Sequence, residues 1–189
     1  MLKHLSPDAS KYLKDLVSLC FSTTFIPSEW KNATIYPIPK PHEWNCYLSN
    51  TRPITLLDTA RKLMTRLMYK RLSKILSENS VLQGGNFAGL PGGSCDPPIA
   101  LMDMLLRDAS AHNKSLFILQ QDISKAFDSM DTNMLRLAMQ RLKIPDRFIS
   151  LTLELFTGRY NTVITSFGST QSYKTHIRID QGEVISPLL

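Results

Sequence analysis

Cysteine is scarce: Cys20, Cys46 and Cys95 are odd in number and far apart in 189 residues. That argues against a disulfide-stapled secreted scaffold and predicts a reducing compartment, cytosol or nucleus. Long apolar runs are also missing. No stretch of about 18 apolar residues exists, so no membrane-spanning helix is expected. The N-terminal stretch lacks the apolar core of a secretory signal, because Lys3, Asp8, Lys11, Lys14 and Asp15 interrupt it. No G-x-x-x-x-G-K-S/T loop, Cys-x-x-Cys pair or His-x-x-x-His spacing occurs. A nucleotide-cradling P-loop is thereby excluded, and zinc at His42 and Cys46 has no support. Ser94-Cys95 lacks the frame of a G-x-S-x-G nucleophile. Acid is short as well: 16 Asp+Glu face 22 Lys+Arg, a formal +6 that favours a polyanionic partner.

What remains is an ordinary globular composition, 43% hydrophobic and 20% charged, able to bury a core as one domain or two small lobes. Ser6-Pro7-Asp8 reads as a helix start, and Tyr12, Leu13, Leu16, Val17, Leu19 and Cys20 follow at helical spacing. Residues 30–40 carry Pro37 and Pro39, which forbid helix and suit an edge strand. Residues 41–50 form a polar loop, and Arg52-Pro53-Ile54-Thr55-Leu56-Leu57 is a short β-like run. Asp58 or Thr59 then caps a long helix over 60–78, with Leu63, Met64, Leu67, Met68 and Ile75 as its apolar face. On that helix Lys62, Arg66, Lys70 and Lys74 are successive i, i+4 neighbours forming one basic stripe. The segment 61–74 holds six cations and no acid. The stripe is either a solvated face or a contact for a phosphate backbone.

Glycines and prolines concentrate over 83–98 and predict a loop, after which Pro97 opens a helix with Ile99, Met102, Leu105 and Leu106. Leu116-Phe117-Ile118-Leu119 is a continuous apolar run, the signature of a strand buried on both faces. Asp131-Thr132-Asn133 caps a further helix with Leu135, Ala138, Met139 and Leu142. Beyond Pro145 comes another, with Phe148, Ile149, Leu151, Leu155 and Phe156. Thr162–Phe167, a Gly168-Ser169 turn and Tyr173–Ile179 predict a β-hairpin. The last residues, Gly182–Leu189, read as the opening of an element.

The apolar run ends in Asp122, so the predicted strand delivers a carboxylate where a buried sheet meets solvent. A carboxylate there suits Mg²⁺, which binds through few protein oxygens plus substrate phosphates. By itself, a strand that ends in aspartate is a common structural feature.

Four blocks occur in one order: Trp30-Lys31-Asn32-Ala33 with Pro37-Ile38-Pro39-Lys40; Arg52 to Leu57; Asp122 with Lys125-Ala126-Phe127-Asp128-Ser129; and Gln181-Gly182 with Ser186-Pro187-Leu188-Leu189. Together they resemble the fingers and palm of a non-LTR retrotransposon (LINE-like) reverse transcriptase, over roughly Pro27 to Leu189. The resemblance implies an α+β fold, a right-hand polymerase fingers lobe plus an incomplete palm sheet. Residues 1–26 would be a helical extension, 27–115 fingers and 116–189 a partial palm. It implies that Asp122 is the first catalytic aspartate and that the Ile123 carbonyl joins it at Mg²⁺ in the complete enzyme. Phe127 would lie beneath the incoming sugar and exclude a 2′-hydroxyl, with core packing as its alternative. Arg52, assisted by Lys40, would pair with the triphosphate, and Gln181 and Gly182 would line the nascent base pair. Asp128 would cap a turn. The implied partners are an RNA template, a DNA primer and deoxynucleoside triphosphates; oligomeric state is left open.

The chain also departs from the pattern. Asp180 stands where the family usually has a basic residue, and Glu183 follows Gly182, an expected excess of negative charge close to the template. The family's aromatic-x-Asp-Asp block is absent, and no Asp-Asp pair occurs in the sequence. The expectation is therefore a partial RNA-directed DNA polymerase, inactive alone. The alternatives are a non-catalytic nucleic-acid-binding remnant, with Lys62, Arg66, Lys70 and Lys74 as contacts, and an interaction fragment.

Overall fold

The computed structural model describes residues 4–41, 45, 47–82, 85, 89–90, 92–123, 126–175, 179–180 and 182–189. Within these the fold is mixed α and β, built on one five-stranded sheet. Helix α1 runs Pro7–Thr23, and the Ser6 hydroxyl accepts from the Ala9 amide at its start. It buries only Val17 and Cys20; Tyr12 and Leu19 face solvent.

Strands β1 (Asn32–Pro39) and β2 (Thr51–Leu56) pair antiparallel, with Ile38 opposite Arg52. Strand β3 (Arg159–Thr165) pairs parallel with β1. The two prolines suggest an edge, yet β1 lies inside the sheet. The register explains this: β3 reaches only Asn32–Ile35, so Pro37 and Pro39 sit where β1 has a single neighbour. A missing amide there breaks no second ladder.

Helix α2 spans Thr59–Glu78, and Asp58 is its cap, accepting from the Ala60 and Arg61 amides. Met64 and Met68 are fully buried as expected. Leu67 and Ile75 are exposed instead, because Leu72 and Leu76 continue the buried row. Helix α3 (Asp96–Ala111) buries none of its residues.

The apolar run Leu116–Leu119 corrects a second expectation. It is neither a strand nor buried; Phe117 and Leu119 are each 94% exposed. A strand buried on both faces needs a hydrogen-bonded neighbour on each side, and no strand among the described residues pairs with this stretch.

A single helical turn, α4 (Ala126–Ser129), precedes α5 (Thr132–Arg141) and α6 (Asp146–Glu154). The Asp131 carboxylate accepts from the Asn133 and Met134 amides, as its position before α5 predicts. The hairpin is present, with its turn slightly earlier than expected: β4 (Gly168–Ser169) and β5 (Tyr173–Thr175) both return along β3. Ser186–Leu188 forms a 3-10 turn. The core gathers Val17 and Cys20 of α1, Met64 and Met68 of α2, and Leu135 and Met139 of α5, with Ile149 and Leu151 of α6 packed among them. Ile179 and Ile185, on either side of the turn at Gly182, are buried in the same core. None of the helices among the described residues is long and apolar enough to cross a membrane.

Candidate functional site

The site residues named from the sequence fall into two groups. Arg52 is exposed near the start of β2, and Lys40 follows the end of β1. The Lys40 amide donates to the Asn50 carbonyl at 2.8 Å and its Nζ to the Ser49 carbonyl at 2.9 Å. Both cations therefore sit at one end of the β1–β2 ladder.

Gly182 reaches the same strand from the far end of the sequence. Its φ is +122°, and a Cβ there would lie 2.8 Å from the Thr55 carbonyl oxygen, three residues along β2 from Arg52. Only glycine permits that approach. Phe127 joins through its backbone, its carbonyl accepting from the Ile179 amide at 3.0 Å. Its half-buried ring packs against the core. Gln181 and the Asp128 side chain lie outside the described residues.

Asp122 and Ile123 form the second group. Both are exposed and lie outside any helix or strand, and among the described residues no hydrogen bond or ion pair ties Asp122 to the first group. No cluster of three or more His, Cys, Asp or Glu side chains suited to a metal occurs among the described residues. One carboxylate and one carbonyl do not make a divalent-cation site, since Mg²⁺ demands near-octahedral oxygen coordination. The residues present do not by themselves fit the implied metal.

Of the basic stripe, Arg66, Lys70 and Lys74 are exposed and Lys62 is half-buried. Arg61, counted with the same cations by charge alone, is not part of it. Its side chain is fully buried and its guanidinium makes three contacts. Nε donates to Glu183 at 2.7 Å, Nη2 to Asp180 at 3.0 Å, and Nη1 to the Trp30 carbonyl at 2.9 Å. Arg159, equally buried, pairs with the other oxygen of Asp180. The Thr65 hydroxyl donates to the other oxygen of Glu183 at 2.6 Å.

This overturns the expected excess of negative charge near the template. Asp180 and Glu183 are buried and matched one for one by Arg61 and Arg159, so they present no charge outward. The sequence carries a signal for this arrangement. Arg61 precedes Thr65 by four and Met68 by seven residues, which places it on the buried face of α2. Asp180 and Glu183 sit between Ile179 and Ile185, where unpaired acids would be costly.

Residues 38–189 match the family described as reverse transcriptase (RNA-dependent DNA polymerase), and the chain belongs to that family. Among its relatives, a probable RNA-directed DNA polymerase from transposon BS of Drosophila melanogaster is 28% identical over all of this chain and 21% of its own length. A retrovirus-related Pol polyprotein from a type-1 R2 retrotransposable element of Popillia japonica is 26% identical over 93% of this chain and 24% of its own length. A probable RNA-directed DNA polymerase from transposon X-element of Drosophila melanogaster is 26% identical over all of this chain. The chain thus spans between a fifth and a quarter of the first two relatives.

Proposed function

We propose that this chain supplies the nucleotide- and template-facing part of a retroelement RNA-directed DNA polymerase, with fingers over 27–115, a partial palm over 116–189 and a helical extension before them. One observation carries the proposal most: Gly182 is seated against Thr55 on the strand that also bears Arg52, with Lys40 at the end of the adjoining strand. A guanidinium and an ammonium at one sheet end suit a triphosphate, the first by paired hydrogen bonds and the second as a point charge. Gly182, having no side chain, lets the turn close onto β2, and its backbone there would line the nascent base pair. Phe127, whose carbonyl is bound to Ile179 near that turn, has the bulk to reject a 2′-hydroxyl. Asp122 and the Ile123 carbonyl are the chain's share of a divalent-metal site in the whole polymerase. Alone they leave the ion short of ligands, and this chain by itself should not extend a primer.

The exposed stripe on α2 favours nucleic-acid binding by the chain even without turnover. The test is binding of the 189-residue chain to an RNA–DNA duplex across a salt series. Affinity should fall steeply with salt, and replacing Lys62, Arg66, Lys70 and Lys74 by Gln should flatten the log–log slope by roughly three to four. Binding that ignores salt, or an unchanged slope in the fourfold variant, would make the stripe a solvated face. Asp122-dependent primer extension by the chain alone would overturn the incomplete-site reading.

A further inference from the structure

We infer that Arg61 is a positioning residue for the nucleotide site, acting through the turn that carries Gly182; the inference rests on the nucleotide-binding reading given above. The turn Asp180–Glu183 is closed by the Glu183 amide donating to the Asp180 carbonyl at 3.2 Å. Its two carboxylates flank Gly182, and Arg61 holds both. Arg61 is itself fixed in the first turn of α2, its amide capped by Asp58, and its third contact reaches the Trp30 carbonyl just before β1. One guanidinium therefore ties the start of α2, the approach to β1 and both sides of the Gly182 turn. The consequence is geometric: Gly182 is pinned against Thr55, on the strand that carries Arg52.

The clamp also sets the charge of the site. Arg61 and Arg159 cancel Asp180 and Glu183, so the turn stands beside a triphosphate without repelling it. Without Arg61, Glu183 keeps only neutral donors, the Thr65 hydroxyl at 2.6 Å and the Val184 amide at 3.0 Å. An uncompensated carboxylate would then lie next to Gly182. Lysine cannot substitute, because a point-charge ammonium does not bridge two carboxylates and a carbonyl in one plane.

The experiment measures binding of a fluorescent methylanthraniloyl-dGTP to the 189-residue chain with Mg²⁺, alongside thermal melting. Arg61→Lys should weaken binding about tenfold, the scale of one lost charge-assisted hydrogen bond. Arg52→Ala, which leaves the clamp intact, should weaken it without changing the melting temperature. The double variant Arg61→Met/Glu183→Leu removes the clamp while refilling its volume with apolar groups. It should recover melting temperature but not nucleotide affinity. Recovery of both would show a purely structural role and overturn the inference, as would unchanged affinity in a folded Arg61→Lys chain. If the wild-type chain binds no nucleotide, the nucleotide-binding reading fails and hydrogen exchange decides the clamp alone. The Gly182 amide should exchange faster in Arg61→Lys while amides of α5 and α6 do not; equal exchange at Gly182 would overturn it.

Discussion

Nε of Arg61 stands 2.7 Å from Oε2 of Glu183, and neither side chain reaches solvent. The two residues are 122 positions apart, so this ion pair ties the start of α2 to the far end of the sequence. Burying charges is expensive, and the pair is tolerated because Asp180 and the Trp30 carbonyl accept further hydrogen bonds from Arg61 while the Thr65 hydroxyl and the Val184 amide donate to Glu183.

Breaking one side of such a cluster should cost far more than removing both. Arg61→Met is expected to destabilise the chain by about 3–5 kcal/mol, because Glu183 is left buried and unpaired. Arg61→Met/Glu183→Leu should recover most of that, since Asp180 keeps Arg159 and apolar side chains fill the space. Urea denaturation of the three proteins checks this. A double variant no more stable than Arg61→Met would mean the cost lies in lost packing, not in an orphaned charge.

Gly182 yields a second expectation from its backbone. Alanine there would adopt φ +122° and drive its Cβ to 2.8 Å from the Thr55 carbonyl oxygen. The cost should reach roughly 3 kcal/mol, the upper end for a side chain forced into a sparsely populated conformation. Gly158 is the comparison, at φ +64° with nothing within 4 Å of the point a Cβ would occupy. Gly158→Ala should cost about 1–2 kcal/mol, the penalty of the left-handed region alone. Melting temperatures should therefore fall clearly further for Gly182→Ala, at roughly 2–4 °C per kcal/mol. Equal shifts would show that the turn relaxes away from β2.

Local signals are legible in the sequence because they need no distant partner. Ser6, Asp58 and Asp131 cap the helices they precede, since a cap acts within three residues. Arg52 and Lys40 fall together because β2 carries one and the end of its neighbour β1 is followed by the other. Helical spacing puts Arg61 on the buried face of α2, but which acids it meets is not legible, because the cluster's members come from four separate segments. Pro37 and Pro39 mark an edge correctly in part: half of β1 is one, and only the register with β3 reveals which half.

Cys20 and Cys95 should differ sharply as thiols. Cys20 is buried in the core, and burial pushes its thiol up from the usual value; Cys95 is exposed before α3. Only the thiolate attacks a disulfide reagent, so at any fixed pH Cys20 holds less of the reactive form as well as being shielded. In a Cys46→Ser background, a chromogenic aromatic disulfide at about pH 8 should titrate one thiol quickly and a second only after denaturant is added. Two equally fast thiols in the native protein would show that α1 detaches from the core, where Val17 and Cys20 are its only buried residues.

Phe117 and Leu119 test the largest departure from the sequence-based expectation. Four consecutive apolar residues report a preference for burial, but burial on both faces also requires strands on each side, which no local pattern encodes. Here both side chains are 94% exposed. Replacing them by lysine should therefore change stability by no more than about 0.5 kcal/mol, as at ordinary surface positions. The same change removes two apolar side chains from a stretch prone to pairing with another chain, and should raise the concentration at which light scattering detects aggregation. A buried strand would respond in the opposite way, since a lysine placed in a core loses its hydration without a partner. A large loss of stability in Phe117→Lys/Leu119→Lys would show that the run is covered in solution and that the expectation of a buried strand holds.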